Sequence, residues 1–234
     1  GPVVNAIARR WGGGSIAKAE DSARIRQVGI ERLRAISFWK PNDNGVDDTR
    51  HASGFLVFLN ARDCWAREVT KEQFYGGGIT LGSLTAFSRN ITVQDCSMMV
   101  AETRYYDGPG YKERVFLETG VYTGRYGYTL AGQHLLVRRC WTRHLRHAFA
   151  VHAFVGGPNV FSECRGEDSL TWSEPHHRWS TGGLYDGVAD SISLMNRLWY
   201  GSGQGWAGAN YVAWNTSGEL ICQQPPTAQN WAIG

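Results

Sequence analysis

Five of the seven histidines, His144, His147, His152, His176 and His177, fall between positions 144 and 177 of a 234-residue chain. Arg143, Arg146, Glu174 and Arg178 lie among them, and Tyr126 lies shortly upstream. Imidazole titrates near physiological pH, so histidines beside arginine and tyrosine suit general acid–base chemistry. β-Elimination next to a carboxylate needs a base for the neighbouring proton, a cation to neutralise that carboxylate, and an acid for the leaving oxygen. His147 or His177 fits the base, Arg178 or Arg146 the cation, and Tyr126 the acid. His152, His176, Glu174, Trp179, Tyr105 and Tyr106 are expected to contact the substrate. Two other readings use the same residues: a polar ladder that only hydrogen-bonds along a stack, or transition-metal binding by some of the histidines. Neither His-x-x-His at 144 and 147 nor the adjacent His176-His177 is a diagnostic ligand pattern. No metal site is therefore assigned and no cofactor is predicted, with a divalent metal left open.

The elements that must position these residues repeat. Six segments share an aromatic or Ile followed by small or apolar residues, led by Ile79, Tyr128, Phe149, Trp179, Trp206 and Trp231, at offsets of 49, 21, 30, 27 and 25 residues. Strand-length motifs at such spacing belong to a stacked architecture, in which no single unit buries its own apolar face. Two positions before each aromatic from Tyr128 onward stand Tyr126, His147, His177, Gln204 and Gln229, an expected polar column. One position after the aromatics stand Thr129, Ala150, Ser180, Ala207 and Ala232, an expected flat outer floor. A second register offers inward pairs at Leu33/Ala35, Cys64/Ala66, Ile91/Val93, Leu135/Val137, Val160 or Phe161, Ile192/Leu194 and Leu220/Cys222. Cys96, Cys140 and Cys164 each close such a strand after a polar pair, which predicts a ladder of buried thiols. The odd total of five cysteines, without Cys-x-x-Cys, predicts neither a zinc knuckle nor a complete disulfide framework.

These patterns predict an all-β, right-handed parallel β-helix of about seven coils, the handedness being taken from the usual members of the architecture. A β-propeller would need four strands per blade with antiparallel hairpin signals, which are missing. Residues 1–26 are expected to form a lead-in or cap, and 27–234 the solenoid, with an aromatic and charged insertion at 101–125. A polar excursion at Lys40–Arg50 reads as a solvated loop. The net charge of +3 comes from 24 basic and 21 acidic residues spread along the chain, so nucleic acid is not an expected partner. No apolar run approaches a membrane span, and no leader pattern opens the chain. Gly1-Pro2 reads as the scar of a cleaved tag, and the stop inside a repeat at Gly234 reads as a fragment's end.

Segments Arg146–Phe149, Gly157–Val160, Pro175–Gly182, Leu184–Val188, Gly205–Asn210 and Pro225–Trp231 resemble the pectate-lyase-like family of parallel β-helix proteins. More closely, they resemble large exported bacterial β-helix proteins of poorly defined activity. The resemblance implies a secreted or periplasmic protein with a polysaccharide as partner, and one scaffold that hosts lyases, hydrolases, epimerases and tailspikes. The chain departs from calcium-dependent pectate lyases, having no comparable Asp cluster in its strands. A metal-free polysaccharide lyase is thus the leading expectation. A glycoside hydrolase using two of Glu167, Asp168, Glu174 and Asp186 is the alternative within catalysis. Outside catalysis stands a glycan-binding or structural β-helix that self-associates through its coil ends or flat face.

Overall fold

The structure, a computed structural model, describes residues 8–15, 18, 21–38, 52–74, 76–83, 88–100 and 124–234. The expected insertion with Tyr105 and Tyr106, and the Lys40–Arg50 excursion, lie outside the described residues. The chain is a right-handed parallel β-helix. Sheet A runs from Ile25–Arg26 and Gly29–Glu31 through Ala61–Arg67, Arg89–Gln94, Gln133–Arg138, Gly156–Ser162, Ser180–Asp186 and Val212–Trp214 to Trp231–Ile233. Sheet B stacks Arg34–Ile36, Thr70–Glu72, Ser97–Met99, Trp141–Arg143 and Arg165–Glu167. Sheet C stacks Leu56–Phe58, Gly77–Gly82, Tyr126–Ala131, His147–Val151 and Glu174–Pro175. The chain visits the sheets in the order C, A, B, and every strand pair within them is parallel. Beyond Glu174–Pro175 sheet C ends, and Ile192–Leu194 pairs with Leu220–Cys222 in a sheet of two. No helix among the described residues is long and apolar enough to cross a membrane.

Alternation decides which side chains enter the coil. In Arg89–Gln94 and Gln133–Arg138 the buried residues are Ile91 with Val93 and Leu135 with Val137, and these pair in register. The same inward column continues to Phe161 and Tyr185, whose rings stack at 5.2 Å. From sheet C, Tyr128 stacks on Phe149 at 5.6 Å, and Phe149 meets Phe161 at 5.5 Å. Aromatics from two sheets thereby fill one core. Val160 faces the other way, resolving the choice between it and Phe161. Leu33 is exposed, outside sheet A, and Ile192/Leu194 and Leu220/Cys222 belong to the two-stranded sheet.

The A-to-B corner is a two-residue turn whose first residue is left-handed, at Glu68, Asp95, Arg139 and Glu163. The N–H of each donates to the next coil: Glu68 to Gln94 O, Asp95 to Arg138 O, Arg139 to Ser162 O and Glu163 to Asp186 O. Stacking thus repays the unfavourable backbone of these non-glycine residues. The second turn residue points inward, and it is here that Cys96, Cys140 and Cys164 stand, all buried and free. Each thiol faces two carbonyls, its own strand's Gln94, Arg138 or Ser162 O at 3.2, 3.3 and 3.3 Å and, further off, Ala66, Val93 or Val137 O of the preceding coil, so the three stack as the expected ladder. Burial pushes the Cys140 thiol up to about 12, keeping it protonated.

A device without a sequence expectation holds the C-to-A corner. Ser88 accepts from Ala61 N–H and donates to Phe58 O, at 3.1 and 2.8 Å. Asn159 does the same to Leu135 N–H and Gly132 O, and Asn230 to Tyr211 N–H and Gly208 O. In each case a side chain from the next coil closes a turn three residues wide, satisfying backbone groups that would otherwise be buried unpaired.

Candidate functional site

The six aromatic-led segments do not form one register. Ile79, Tyr128 and Phe149 pair in sheet C, whereas Trp231 belongs to sheet A, and Trp179 and Trp206 lie just before sheet-A strands. The expected column therefore breaks after two members: Tyr126 pairs with His147, but His147 has no register partner in His177. The next rung pairs Ala150 with Glu174 and Val151 with Pro175, which carries His177 past the column. Gln204 is buried and accepts the Arg178 N–H through its carbonyl, and Gln229 bonds Asn210. The small-residue floor is likewise divided. Thr129 and Ala150 pair in sheet C, Ser180 and Ala207 are buried elsewhere, and Ala232 is on sheet A.

Coiling instead gathers Tyr126, His147, Glu174, His176 and, from a distant segment, Arg197. The Tyr126 ring stacks on His147 at 5.3 Å, and His176 stands edge-on to both, at 5.5 and 4.7 Å. Tyr126 Oη lies 3.2 Å from His176 Nε2. His147 Nδ1 is 2.9 Å from Trp172 O, with Thr171 Oγ1 at 2.8 Å. Donation from Nδ1 to the Trp172 carbonyl leaves Nε2 as the lone-pair nitrogen, and that atom is buried without a partner among the described residues. His176 Nδ1 lies 2.8 Å from Glu174 Oε1, and donation there leaves its Nε2 to accept from Tyr126. Arg197 Nη1 donates to Glu174 Oε1 at 2.6 Å and to His176 O at 2.6 Å.

Burial dominates the electrostatics. His147 is 1% exposed, and burial, then the Arg146 charge, hold it well below the usual imidazole range. His176 is depressed by burial, then by His147 and Arg197. Both rings stay neutral at ordinary pH, the form that accepts a proton. Burial pushes Glu174 up to about 8 against the opposing pull of Arg197 and Arg146. Its Oε2 has no hydrogen-bond partner among the described residues.

His152 and His177 form a separate, half-buried pair, with ring centroids 4.8 Å apart. Burial lowers both, His177 to about 4, with Arg178 adding to the effect. His176 joins the two pairs, at 5.1 Å from His177. Arg178 is tied to Ser202 through Oγ and the carbonyl, and Arg146 is buried beside His147. Trp179 leads into sheet A. His144 turns to Val100 O and, with Arg143, to the exposed Asp168. Of the carboxylates considered for hydrolysis, only Glu174 is in the cluster. Glu167 is on sheet B beside Arg165, and Asp186 is on sheet A beside Ser162. Arg125, unsuspected in the sequence, is exposed and places its guanidinium 5.5 Å from the Tyr126 ring centre.

His147, Glu174 and His176 each offer a donor atom within 4.8 Å of the others, the composition of a two-histidine, one-carboxylate metal set. Arg197 answers that composition: its guanidinium contacts Glu174 Oε1 and lies 2.9 Å from His176 Nδ1. A divalent cation taking those two atoms would have to displace it. Arginine was invisible to sequence reading here because position 197 lies 20 residues beyond His177, on a segment with no repeat signal. Comparison with known proteins returns no matching family model, no matching curated protein and no matching solved structure.

Proposed function

We propose that this is a carbohydrate-active β-helix protein, related to the pectate-lyase-like group and acting outside the cytoplasm, that cleaves a uronic-acid glycan by β-elimination. The observation that carries the reading is the Tyr126–His176 contact of 3.2 Å in a setting where arginines outnumber carboxylates. Arg146 and Arg197 act on one buried carboxyl and Arg125 stands over the Tyr126 ring, a field suited to an anionic ligand. The neutral His176 is in the accepting form, and Tyr126, which is half-buried, is the member of the pair nearer solvent. In the reaction, the pair takes the proton at C5 of the uronate, the C4–O bond breaks as the C4–C5 double bond forms, and the departing oxygen receives a proton from the pair. Arg125 neutralises the substrate carboxylate, making the C5 proton more acidic. His147 and Glu174 hold the acceptor ring in place. The base assigned on sequence grounds to His147 or His177 moves to His176, because His147 is enclosed and His177 pairs with His152.

The burial of His147 and Glu174 favours a second reading, in which the cluster is structural and the protein binds glycan without turnover. Incubation with acidic and neutral polysaccharides separates the two. Unsaturated products from an acidic polymer are expected; new reducing ends without unsaturation, or binding without either, would overturn elimination.

A further inference from the structure

The outer face of sheet A carries a feature that the histidine centre does not use. Its outward residues stack in register as one column, Trp65, Thr92, Leu136, Val160, Leu184 and Val212, ending on Trp231. The five middle members are half-buried, and the two tryptophans are each 38% exposed. Six inter-strand steps separate the tryptophans, roughly 30 Å along the stack. One side of the column is lined by Arg67, Gln94, Arg138, Ser162 and Asp186, and the other by the polar turn residues Asp63 and Asn90 at its start. The result is an apolar stripe one residue wide beside a polar border as far as Leu184; at Val212 and Trp231 that border passes to the exposed Trp214 and Ile233.

At the Trp65 end the stripe is built rather than merely exposed. The indole packs against Gly29, so close that a Cβ at position 29 would overlap the ring. Its Nε1–H donates to Glu31 Oε1 at 2.7 Å, and Arg67 Nη2 donates to the same oxygen at 2.7 Å. The ring is thereby fixed in tilt and rotation before any ligand arrives, which lowers the entropic cost of stacking on it. Around it Glu31, Arg67, Thr92 and Gln94 line a shallow cleft of about 330 Å³. An aromatic face ringed by a carboxylate, a guanidinium, a hydroxyl and an amide matches a pyranose, whose C–H face is apolar and whose rim is hydroxyl.

We infer that the outer face of sheet A is a second glycan site, a track for a linear polysaccharide with Trp65 as its anchoring platform. The choice of a sugar polymer rests on the reading that the protein engages glycans, but not on elimination at Tyr126 and His176. A peptide strand would need a free sheet edge; the strands from Ala61–Arg67 to Val212–Trp214 have neighbours on both sides, and of the strands under the stripe only the last, Trp231–Ile233, is an edge. A second copy would need apolar width, which the stripe has only at its far end, where Trp214 and Ile233 flank Val212 and Trp231, and not at the Trp65 platform.

The test is affinity electrophoresis of the whole chain through gels containing polygalacturonate, alginate or hydroxyethyl cellulose. Wild type, Trp65→Ala, Leu136→Glu and His176→Ala are compared, with circular dichroism as the folding control and sedimentation velocity as the self-association control. Wild type is expected to be retarded by at least one polymer. Trp65→Ala should weaken that retardation about tenfold, the scale of one lost aromatic stack, Leu136→Glu should weaken it too, and His176→Ala should weaken it less than Trp65→Ala does. No retardation of wild type, retardation unchanged in folded Trp65→Ala, or a dimer that Leu136→Glu dissociates would each overturn the track. Retardation lost in Trp65→Ala without unsaturated product from wild type would sink elimination while leaving the track standing.

Discussion

Two stacks of titratable side chains run through the same solenoid, and they are opposites. Cys96, Cys140 and Cys164 repeat one geometry at one corner, each buried thiol facing a carbonyl of its own strand and one of the preceding coil. Tyr126, His147, Glu174 and His176 come from three successive coils without a common register, and they leave His147 Nε2 and Glu174 Oε2 buried without partners among the described residues. The thiol ladder is what stacking yields when every group is satisfied. The histidine cluster is held by the same stacking but carries polar atoms that the stack does not satisfy, one ground on which we propose it as the site.

The largest stability difference between the two should follow from Glu174→Ala. Above about pH 8, where Glu174 is ionised, the substitution leaves the Arg197 guanidinium buried beside two imidazoles, and breaking such a buried pair costs about 3–5 kcal/mol. Urea denaturation measures it, and a loss below about 1 kcal/mol would erase the contrast. Acid comes next. Four imidazoles, His147, His152, His176 and His177, are held below their ordinary value of 6.5, so below that pH the unfolded chain binds protons that the folded one refuses. Glu174 works in the other direction: raised from 4.5 to about 8, it holds a proton in the folded state that the unfolded chain releases, so its contribution is lost as pH rises through that window. One carboxyl opposing four imidazoles leaves a net fall in urea midpoint from pH 6.5 to 4.5. A flat profile would mean that the rings are charged in the folded protein. The smallest effect belongs to the ladder: Cys140→Ala should cost about 1–2 kcal/mol, from one lost buried group. It should also leave the acid profile unchanged, since the thiol does not titrate there.

The asymmetry between the stacks also governs what could be read from the chain. Period-two alternation around Ile91/Val93 and Leu135/Val137 gives inside and outside, and the polar pair before each Cys marks the left-handed corner, so the solenoid and its thiols are legible. Alternation does not say to which of three sheets a strand belongs. Phe149 and Trp179 look alike locally, yet one fills the core from sheet C and the other leads into sheet A. Placing them on one rung gave His147 the neighbour His177 in place of His176, an error of one residue with a different partner. Ser88, Asn159 and Asn230 are ordinary polar residues until the next coil is laid on the last. Arg197 becomes visible only when its segment folds back onto Glu174.

The central claim is that three coils bring Tyr126 and His176 together as one acid–base pair. It is tested most directly by the rate of unsaturated-product formation from a polyuronate by wild type, Tyr126→Phe and His176→Ala, each verified as folded. The account predicts that either substitution lowers the rate about 10²–10⁴-fold, the range of a lost general acid or base. Full activity in either folded variant would contradict it.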